Sequence, residues 1–396
     1  MDVVDIPAGF RFSGIASGIK NNGKLDLALI VADKPAACVG VFTTNKVIAA
    51  PLLVTKPHIA KGQCQAILVN SGNANACTGD AGMQVATASQ KLAAAKLGID
   101  IDLVAIASTG IIGEQLSLEP FQKNIDVLVE GLAVEHVSIV AEAMMTTDAF
   151  SKIAAARENS EHDYKIIGVA KGAGMIHPNM ATMLGFVLTD AQVSPELLNS
   201  VLPNAVHKSF NSITVDGDTS TNDMVLLLAN GAANNPMIEL GTAAGERFCC
   251  HLERVLLDLA KMIVRDGEGA TKLVEIRVVG GKSDADARTV ARSVATSTLV
   301  KTAFFGADAN WGRIIAAVGY SGVEVNQNQI DIDFDQVAIA KNGLALGIEH
   351  EAEATKVLQR DEFVVTVNLN QGDGESSYYT SDLGYEYIKI NADYRT

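Results

Sequence analysis

The sequence has little positive charge and few aromatic residues. Its 396 residues include 31 lysines and arginines against 46 aspartates and glutamates, which gives a formal net charge of −15. Aromatic residues make up 5% of the chain, and tryptophan occurs once. A protein that binds the phosphate backbone of a nucleic acid needs a basic surface. The composition therefore argues against a nucleic-acid partner, and the acidic balance is more simply a solubility property.

Long apolar runs are also lacking. Uninterrupted runs such as Leu27 to Ala32 and Met224 to Ala229 are far shorter than the roughly 20 residues that span a bilayer. Residues Met1 to Asp5 contain neither a basic region nor an apolar stretch, so we expect no secretory signal and no membrane partner. The 5 cysteines form an odd set without framework spacing, which favours reduced thiols in the cytoplasm.

Segments that resemble common cofactor-binding motifs lack residues that those motifs require. The acidic stretch Asp216 to Asp223 carries three carboxylates, but Thr221 and Leu227 occupy the glycine and glutamate positions of an EF-hand loop. His177 replaces the third glycine of a dinucleotide-binding loop that begins at Gly172. The 7 histidines show no zinc spacing. We therefore expect no metal and no organic cofactor.

The distribution of apolar runs indicates an α/β or α+β fold without a repeat. The patterns predict helices at Asp80–Leu97, Glu119–Leu132 and Ala244–Val264, and a helix from Ser194 that Pro203 ends or kinks near Leu202. The predicted strands are Leu25–Ala32, Cys38–Thr43, Pro51–Thr55, Ala66–Val69, Val104–Ala107, Ile166–Ala170, Leu184–Leu188, Lys272–Val279, Gly322–Val325, Ile330–Phe334 and Phe363–Leu369.

The segment Lys171 to Leu184 (KGAGMIHPNMATML) lies between two apolar runs and is rich in residues that favour loops. Its junction Ala181–Thr182 places a hydroxyl directly after a small residue. A threonine hydroxyl needs a base before it can attack a carbonyl. If the peptide bond before Thr182 is cut, the freed α-amino group, with a reference pKa of about 7.7–8.0, can act as that base near neutral pH.

Four other segments contain residues that an acyl-transfer site requires. Ser108-Thr109-Gly110 follows a predicted strand and offers a hydroxyl beside glycine N–H groups, which suit an oxyanion. Thr146-Thr147-Asp148 is a polar cluster, and Asp266-Gly267-Glu268-Gly269 follows the long helix. The chain ends Asn391-Ala392-Asp393-Tyr394-Arg395-Thr396. Each segment alone also suits an ordinary turn, cap or chain end.

Together, and in this order, these motifs resemble the ornithine acetyltransferase family, the glutamate N-acetyltransferases of arginine biosynthesis. The resemblance extends from Pro7 to Thr396. It implies that the chain cuts itself at Ala181–Thr182, giving an α chain of residues 1–181 and a β chain of residues 182–396. It also implies that Thr182 is the nucleophile. The roles implied for the other matching positions are oxyanion stabilisation by Thr109 and Gly110, and substrate binding by Thr146, Lys171, Thr182, Glu268, Asn391 and Thr396.

The resemblance further implies a ping-pong reaction without a cofactor. Thr182 takes the acetyl group from N-acetylornithine, ornithine leaves, and glutamate accepts the acetyl group. Some members of that family also use acetyl-CoA as donor. The implied fold has stacked mixed sheets flanked by helices, in a sandwich like that of N-terminal-nucleophile enzymes. The implied assembly is a heterotetramer of two α and two β chains.

Two other functions stay open on the residues alone. An N-terminal-nucleophile amidase or aminopeptidase would use the same self-cleaved threonine but pass the acyl group to water. A non-enzymatic protein that binds amino acids would leave the Ala181–Thr182 bond intact. Glu268 and the residues Asn391 and Thr396 favour an amino-acid acceptor over water.

Overall fold

The computed structural model of the chain describes residues 6–160, 162–177 and 183–393. The predicted residues Ala181, Thr182 and Thr396 lie outside these ranges. The helices of the described ranges are α1 (Ala50–Ile59), α2 (Gly79–Leu97), α3 (Glu119–Glu130), α4 (Val137–Met144), α5 (Pro195–Lys208), α6 (Ala243–Arg265), α7 (Asp284–Thr296), α8 (Thr298–Phe305), α9 (Trp311–Gly319), α10 (Ile348–Leu358) and α11 (Tyr385–Asp393).

The strands of the same ranges form two mixed sheets. They are β1 (Phe10–Ile15), β2 (Leu27–Phe42), β3 (Gln63–Asn73), β4 (Val104–Ile111), β5 (Lys152–Glu158), β6 (Tyr164–Lys171), β7 (Leu184–Thr189), β8 (Ile213–Thr214), β9 (Met224–Ala229), β10 (Leu273–Gly281), β11 (Asp331–Phe334), β12 (Val337–Lys341), β13 (Leu344–Ala345), β14 (Glu362–Asn368) and β15 (Gly374–Ser381).

The first sheet has the order β4-β3-β2-β9-β7-β6-β5, with β1 paired to β2. Strands β6 and β7 are antiparallel neighbours, and Lys171 at the end of β6 lies opposite Leu184 at the start of β7. These strands flank the Ala181–Thr182 junction in sequence. Segments on both sides of the junction therefore share one sheet, and the proposed boundary does not separate two independent cores.

The second sheet has the order β13-β12-β11-β14-β10-β15-β8. Strand β10 pairs in parallel with β14 and antiparallel with β15. Helices α7 to α10 pack against its buried apolar residues. At one edge, β8 pairs in parallel with β15 through Ile213 and Thr214. This edge leads into the acidic stretch at Asp216.

The long helix α6 connects the two sheets. Its N-cap residue Thr242 accepts a hydrogen bond from the N–H of Gly245 at 3.0 Å, which satisfies a free donor of the first turn. Its apolar side chains recur every three to four residues and pack with α5 against the first sheet. The helix ends at Arg265, so the Asp266–Glu268 loop begins where the two sheets approach each other.

The α/β fold with mixed sheets flanked by helices is confirmed, and several local predictions differ from the structure. Leu25–Ala32 and Cys38–Thr43 mostly belong to one strand, β2. Pro51–Thr55 lies in helix α1, where the proline occupies the first turn and needs no hydrogen-bond partner. Helix α5 does not end at Pro203 but continues to Lys208, and Ala205 and Val206 beyond the proline are buried in the core. Gly322–Val325 forms no strand.

None of the described helices is both long and apolar enough to cross a bilayer.

Candidate active site

A cavity of about 190 Å³ lies where the ends of β4 and β6 meet the loop after α6 and helix α11. It brings together six residues that the sequence predicted for the site: Thr109, Gly110, Thr146, Lys171, Glu268 and Asn391. The other lining residues are Ala74, Ile112, Thr147, Gly174, Met175, Asp216, Asp218, Ser220, Asn222 and Tyr387. The predicted residues come from segments far apart in sequence, and their roles stay predictions.

The two predicted oxyanion residues were expected to follow the strand Val104–Ala107, but they lie within strand β4 itself. Gly110 has a φ of 134°, and a Cβ at this position would lie 2.3 Å from the carbonyl carbon of Gly72. Only glycine fits this close approach of two strands. The side-chain amide of Asn222 donates to the carbonyl oxygen of Ser108 at 2.8 Å. It therefore orients the peptide unit that also carries the N–H of Thr109.

Lys171 supplies a buried cation to the cavity. Its Nζ donates to Thr146 Oγ1 at 2.7 Å and to Thr109 Oγ1 at 3.4 Å. It also lies 3.7 Å from Oδ2 of Asp148. Burial lowers the pKa of the Lys171 ammonium, and the charge of Asp148 opposes this shift. Both hydroxyl oxygens accept from Lys171, and the Thr146 hydroxyl itself donates to Asp148 Oδ2 at 3.5 Å.

Glu268 supplies an anion to the same cavity. Its Oε2 accepts a hydrogen bond from the side-chain amide of Asn391 at 2.8 Å, and its backbone N–H donates to the carbonyl oxygen of Ala173 at 2.9 Å. Gly174 leaves room for the carboxylate, since a Cβ there would lie 2.5 Å from Cδ of Glu268. A cavity with a cation and an anion matches the opposite charges of an amino acid.

Two aspartates hold the backbone on either side of the Ala181–Thr182 junction. Asp216 accepts from the N–H groups of Met175 at 2.6 Å and Ile176 at 2.8 Å. Asp223 Oδ1 accepts from the N–H of Met183 at 3.0 Å. Burial raises the pKa of Asp216 and of Asp223, and the backbone donors oppose the shift. Met175 itself has a φ of 57°, a left-handed conformation that is rare for this residue type.

The sequence did not predict Asp216, Asn222 or Asp223 as site residues. Their acidic stretch resembles a metal-binding loop only loosely, since it fails the EF-hand pattern. Within the described ranges, no group of three or more potential ligands is arranged to hold a metal ion. The carboxylates of Asp216 and Asp223 bind backbone N–H groups instead. His177 lies nearby, with Nδ1 at 3.4 Å from Thr214 Oγ1, and it remains a loop residue without an assigned role.

Comparison with known proteins agrees with this arrangement of motifs. The sequence model of the ArgJ family matches residues 11–396. The chain is 60% identical to the arginine biosynthesis bifunctional protein ArgJ of Syntrophotalea carbinolica, over 98% of this chain and 99% of that one. It is 53% identical to the protein of the same name from Geobacter sulfurreducens, over 98% of this chain and 99% of that one. A crystal structure of ArgJ from Bacillus halodurans is 46% identical, with a TM-score of 0.50, and covers 52% of this chain and 96% of that one.

Proposed function

We propose, from the premise that this chain belongs to the ArgJ family, that it transfers an acetyl group from N2-acetyl-L-ornithine to L-glutamate in arginine biosynthesis. The observation that carries the proposal is the joint placement of Lys171, Glu268, Thr109 and Gly110 around one cavity. A cation and an anion suit the carboxylate and the amino group of an amino acid. Donors at Thr109 and Gly110 suit the oxyanion of acyl transfer.

The proposed reaction begins after the chain has cut itself between Ala181 and Thr182. The Thr182 hydroxyl attacks the acetyl carbonyl carbon of N-acetylornithine, and its own α-amino group takes the hydroxyl proton. Thr109 and Gly110 stabilise the oxyanion. When the carbon–nitrogen bond breaks, the same proton passes to the departing amine of ornithine, and Thr182 carries the acetyl ester.

Glutamate then binds and completes the cycle. Its neutral amine attacks the acetyl carbon of the Thr182 ester, the oxyanion forms at the same two residues, and the Thr182 α-amino group takes a proton from the attacking nitrogen. The bond from the acetyl carbon to the Thr182 oxygen then breaks, the proton passes to that oxygen, and the hydroxyl is regenerated with N-acetylglutamate as product. In this scheme Lys171 and Thr146 bind the substrate carboxylate. Glu268 binds the free side-chain amino group of N-acetylornithine, and Asn391 and Thr396 complete the pocket. The reaction needs no cofactor.

The proposal that the active enzyme has two chains is supported by one comparison. The match to the solved chain from Bacillus halodurans includes 52% of this chain and 96% of the solved chain. The solved chain is therefore only a little over half as long as this one. That length is expected for one product of a cut near the middle of a precursor. We extend the proposal to a cytoplasmic heterotetramer of two 1–181 chains and two 182–396 chains. The word bifunctional in the relatives' names favours acetyl-CoA as a second donor.

A denaturing gel and an exchange assay test the proposal together. Active protein should give two fragments, one ending at Ala181 and one beginning at Thr182. Thr182→Ala should remain one uncut, inactive chain, whereas the matched Thr182→Ser variant keeps a hydroxyl and should still be cut. Ornithine release from N-acetylornithine should require glutamate for more than one turnover.

Three outcomes would contradict the proposal. Sustained ornithine release without glutamate would indicate a hydrolase, as in the amidase or aminopeptidase alternative. A single full-length band in active protein would rule out self-cleavage. An intact chain that binds ornithine without releasing it from N-acetylornithine would indicate a binding protein.

A further inference from the structure

Four buried charges form a row beside the cavity, and the proposed reaction uses only one of them. Lys171 lies 3.7 Å from Asp148, Asp148 Oδ1 lies 2.8 Å from Lys152 Nζ, and Lys152 Nζ lies 2.5 Å from Asp266 Oδ2. The side chain of Lys152 is 0% exposed. The charges therefore alternate from the cavity wall into the protein, and each carboxylate has an ammonium group beside it.

Such a row is not explained by stability. Transferring two ammonium groups and two carboxylates out of water is costly, and buried ion pairs often contribute no more stability than apolar residues of similar volume. Burial alone would raise the pKa of Asp148, yet Lys171 and Lys152 hold it well below its ordinary range. Asp148 is therefore charged at neutral pH, and its position depends on both ammonium groups.

At one end, Asp148 fixes the residues that surround the cation of the cavity. Its Oδ2 accepts from the N–H of Thr146 at 2.9 Å, and its Oδ1 accepts from the N–H of Gly172 at 2.7 Å. Lys171 precedes Gly172, and its Nζ donates to Thr146 Oγ1. A shift of Asp148 would therefore move the Lys171 ammonium and its hydroxyl partner together.

At the other end, Asp266 fixes the start of the loop that carries the anion. It follows directly after α6, accepts from the N–H of Ala149 at 3.0 Å, and precedes Glu268 by two residues. Lys152 is the ammonium group that contacts Asp148 and Asp266 together, and it also donates to the carbonyl oxygen of Phe150 at 3.3 Å. Lys152 thus joins Asp148, which positions Lys171, to Asp266, which positions the loop of Glu268.

We propose that Lys152 is a positioning residue that fixes the separation between the Lys171 ammonium and the Glu268 carboxylate, and thereby sets which amino acids the cavity accepts. This inference rests on the proposed function. Two opposite charges held at a fixed separation discriminate between amino acids whose amino and carboxylate groups are spaced differently. Lys152 precedes the proposed cleavage site and Asp266 follows it, so the ion pair also joins the two product chains next to the cavity.

The experiment compares the wild-type enzyme with Lys152→Met, the double variant Lys152→Met/Asp266→Asn, and Lys208→Met. The last is a matched control, because Lys208 forms an exposed pair with Glu253 at 2.8 Å. Lys152→Met leaves one buried carboxylate without its cation, whereas the double variant removes one charge of each sign. Melting temperature, kcat and KM are measured for N-acetylornithine and for N2-acetyl-lysine, which is one methylene longer.

We expect Lys152→Met to raise KM for N-acetylornithine about tenfold or more, with kcat changed less than about threefold. Its preference for N-acetylornithine over N2-acetyl-lysine should fall at least about fivefold. The double variant should recover melting temperature but keep the raised KM and the reduced preference. Lys208→Met should match the wild type. If Lys152→Met alone does not fold, the double variant gives the same KM and preference tests.

Two results would overturn the positioning role. One is a wild-type KM and preference in Lys152→Met or in the double variant, even with a lowered melting temperature. The other is an equal loss of kcat with both substrates at unchanged KM. Failure of the proposed function looks different, because the wild-type enzyme itself would then transfer no acetyl group from N-acetylornithine. That result would overturn the proposed function and, with it, this inference.

Discussion

The carboxylate of Glu268 and the side-chain amide of Asn391 are joined by a hydrogen bond of 2.8 Å across 123 residues of sequence. The contact depends on how closely helix α11 approaches the loop after α6. Gly269 has a φ of 70°, and a Cβ there would lie 2.5 Å from the backbone nitrogen of Tyr387. A glycine next to Glu268 therefore allows the C-terminal helix to cover one side of the cavity.

Replacing Glu268 by Gln should weaken substrate binding without unfolding the protein. A hydrogen bond between a charged group and its partner contributes more than a neutral one, so we expect KM for N-acetylornithine to rise roughly 10- to 100-fold. The amide oxygen of Gln can still accept from Asn391, so the melting temperature should stay close to that of the wild type. An unchanged KM would remove Glu268 from the substrate site.

Gly174→Ala should also weaken substrate binding, because it displaces the Glu268 carboxylate. Its Cβ would lie 2.5 Å from Cδ of Glu268 and 2.6 Å from both carboxylate oxygens. The carboxylate is the free end of a flexible side chain, so it moves aside at little cost in stability but leaves its position. We expect KM to rise by about one to two orders of magnitude. Gly319→Ala is the matched control, because no atom lies within 4 Å of a Cβ there.

The fold could be predicted from the sequence where one element carries its own pattern. Helix α6 was expected at Ala244–Val264 and spans Ala243–Arg265, because its apolar period and its cap are local. Pro51–Thr55 was wrongly predicted as a strand because its partner is remote. Thr55 Oγ1 donates to the carbonyl oxygen of Ile106 and accepts from the N–H of the same residue, both at 2.8 Å. No local pattern shows that contact.

The site residues, like the fold, were predictable only where a local motif identifies them. Thr109, Lys171 and Glu268 were identified because their short motifs occur together in a family, and the structure places them around one cavity. Asn222 and Asp216 were missed because their partners are backbone groups. Asn222, for example, donates to the carbonyl oxygen of Ala74, 148 residues away, at 2.6 Å. A backbone carbonyl leaves no trace in the identity of its residue, so such contacts can be found only in the structure.

Asp216→Asn should slow the proposed self-cleavage. The two carboxylate oxygens of Asp216 hold the N–H groups of Met175 and Ile176, and Met175 has a left-handed φ of 57°. A side-chain amide offers one acceptor oxygen, and its NH₂ would face a backbone donor. With the turn before the junction held less firmly, we expect cleavage to be at least about tenfold slower.

A denaturing gel of freshly synthesised protein, sampled over time, measures this rate. Asp218→Asn is the control, because it removes the same charge from a neighbouring residue that also lines the cavity. Equal cleavage rates in Asp216→Asn and the wild type would contradict the prediction. Equal slowing in both variants would assign the effect to lost negative charge instead of the backbone contacts.

A buried lysine away from the substrate should make stability depend on pH. Lys301 Nζ donates to Thr380 Oγ1 at 2.8 Å and to Ser381 Oγ at 3.1 Å. Burial lowers its pKa from 10.5 to about 7, although Asp382 and Asp216 oppose the shift. Below pH about 7 both the folded and the unfolded states hold the proton, and the cost of burying the charge is fully present.

Between the folded pKa of about 7 and the ordinary value of 10.5, the unfolded state binds more protons than the folded one. The free energy of unfolding should therefore rise with pH, by up to about 1.4 kcal/mol per pH unit from this group. Lys301→Met lacks the titration. The free energy of unfolding is measured by urea unfolding from about pH 6 to about pH 9, in uncut Thr182→Ala chains with and without Lys301→Met. The free energy of the chain with Lys301 minus that of the chain with Met should be constant below pH about 7 and should increase above it. A difference that is constant or falls over the whole range would show that Lys301 is not buried as a depressed-pKa ammonium group.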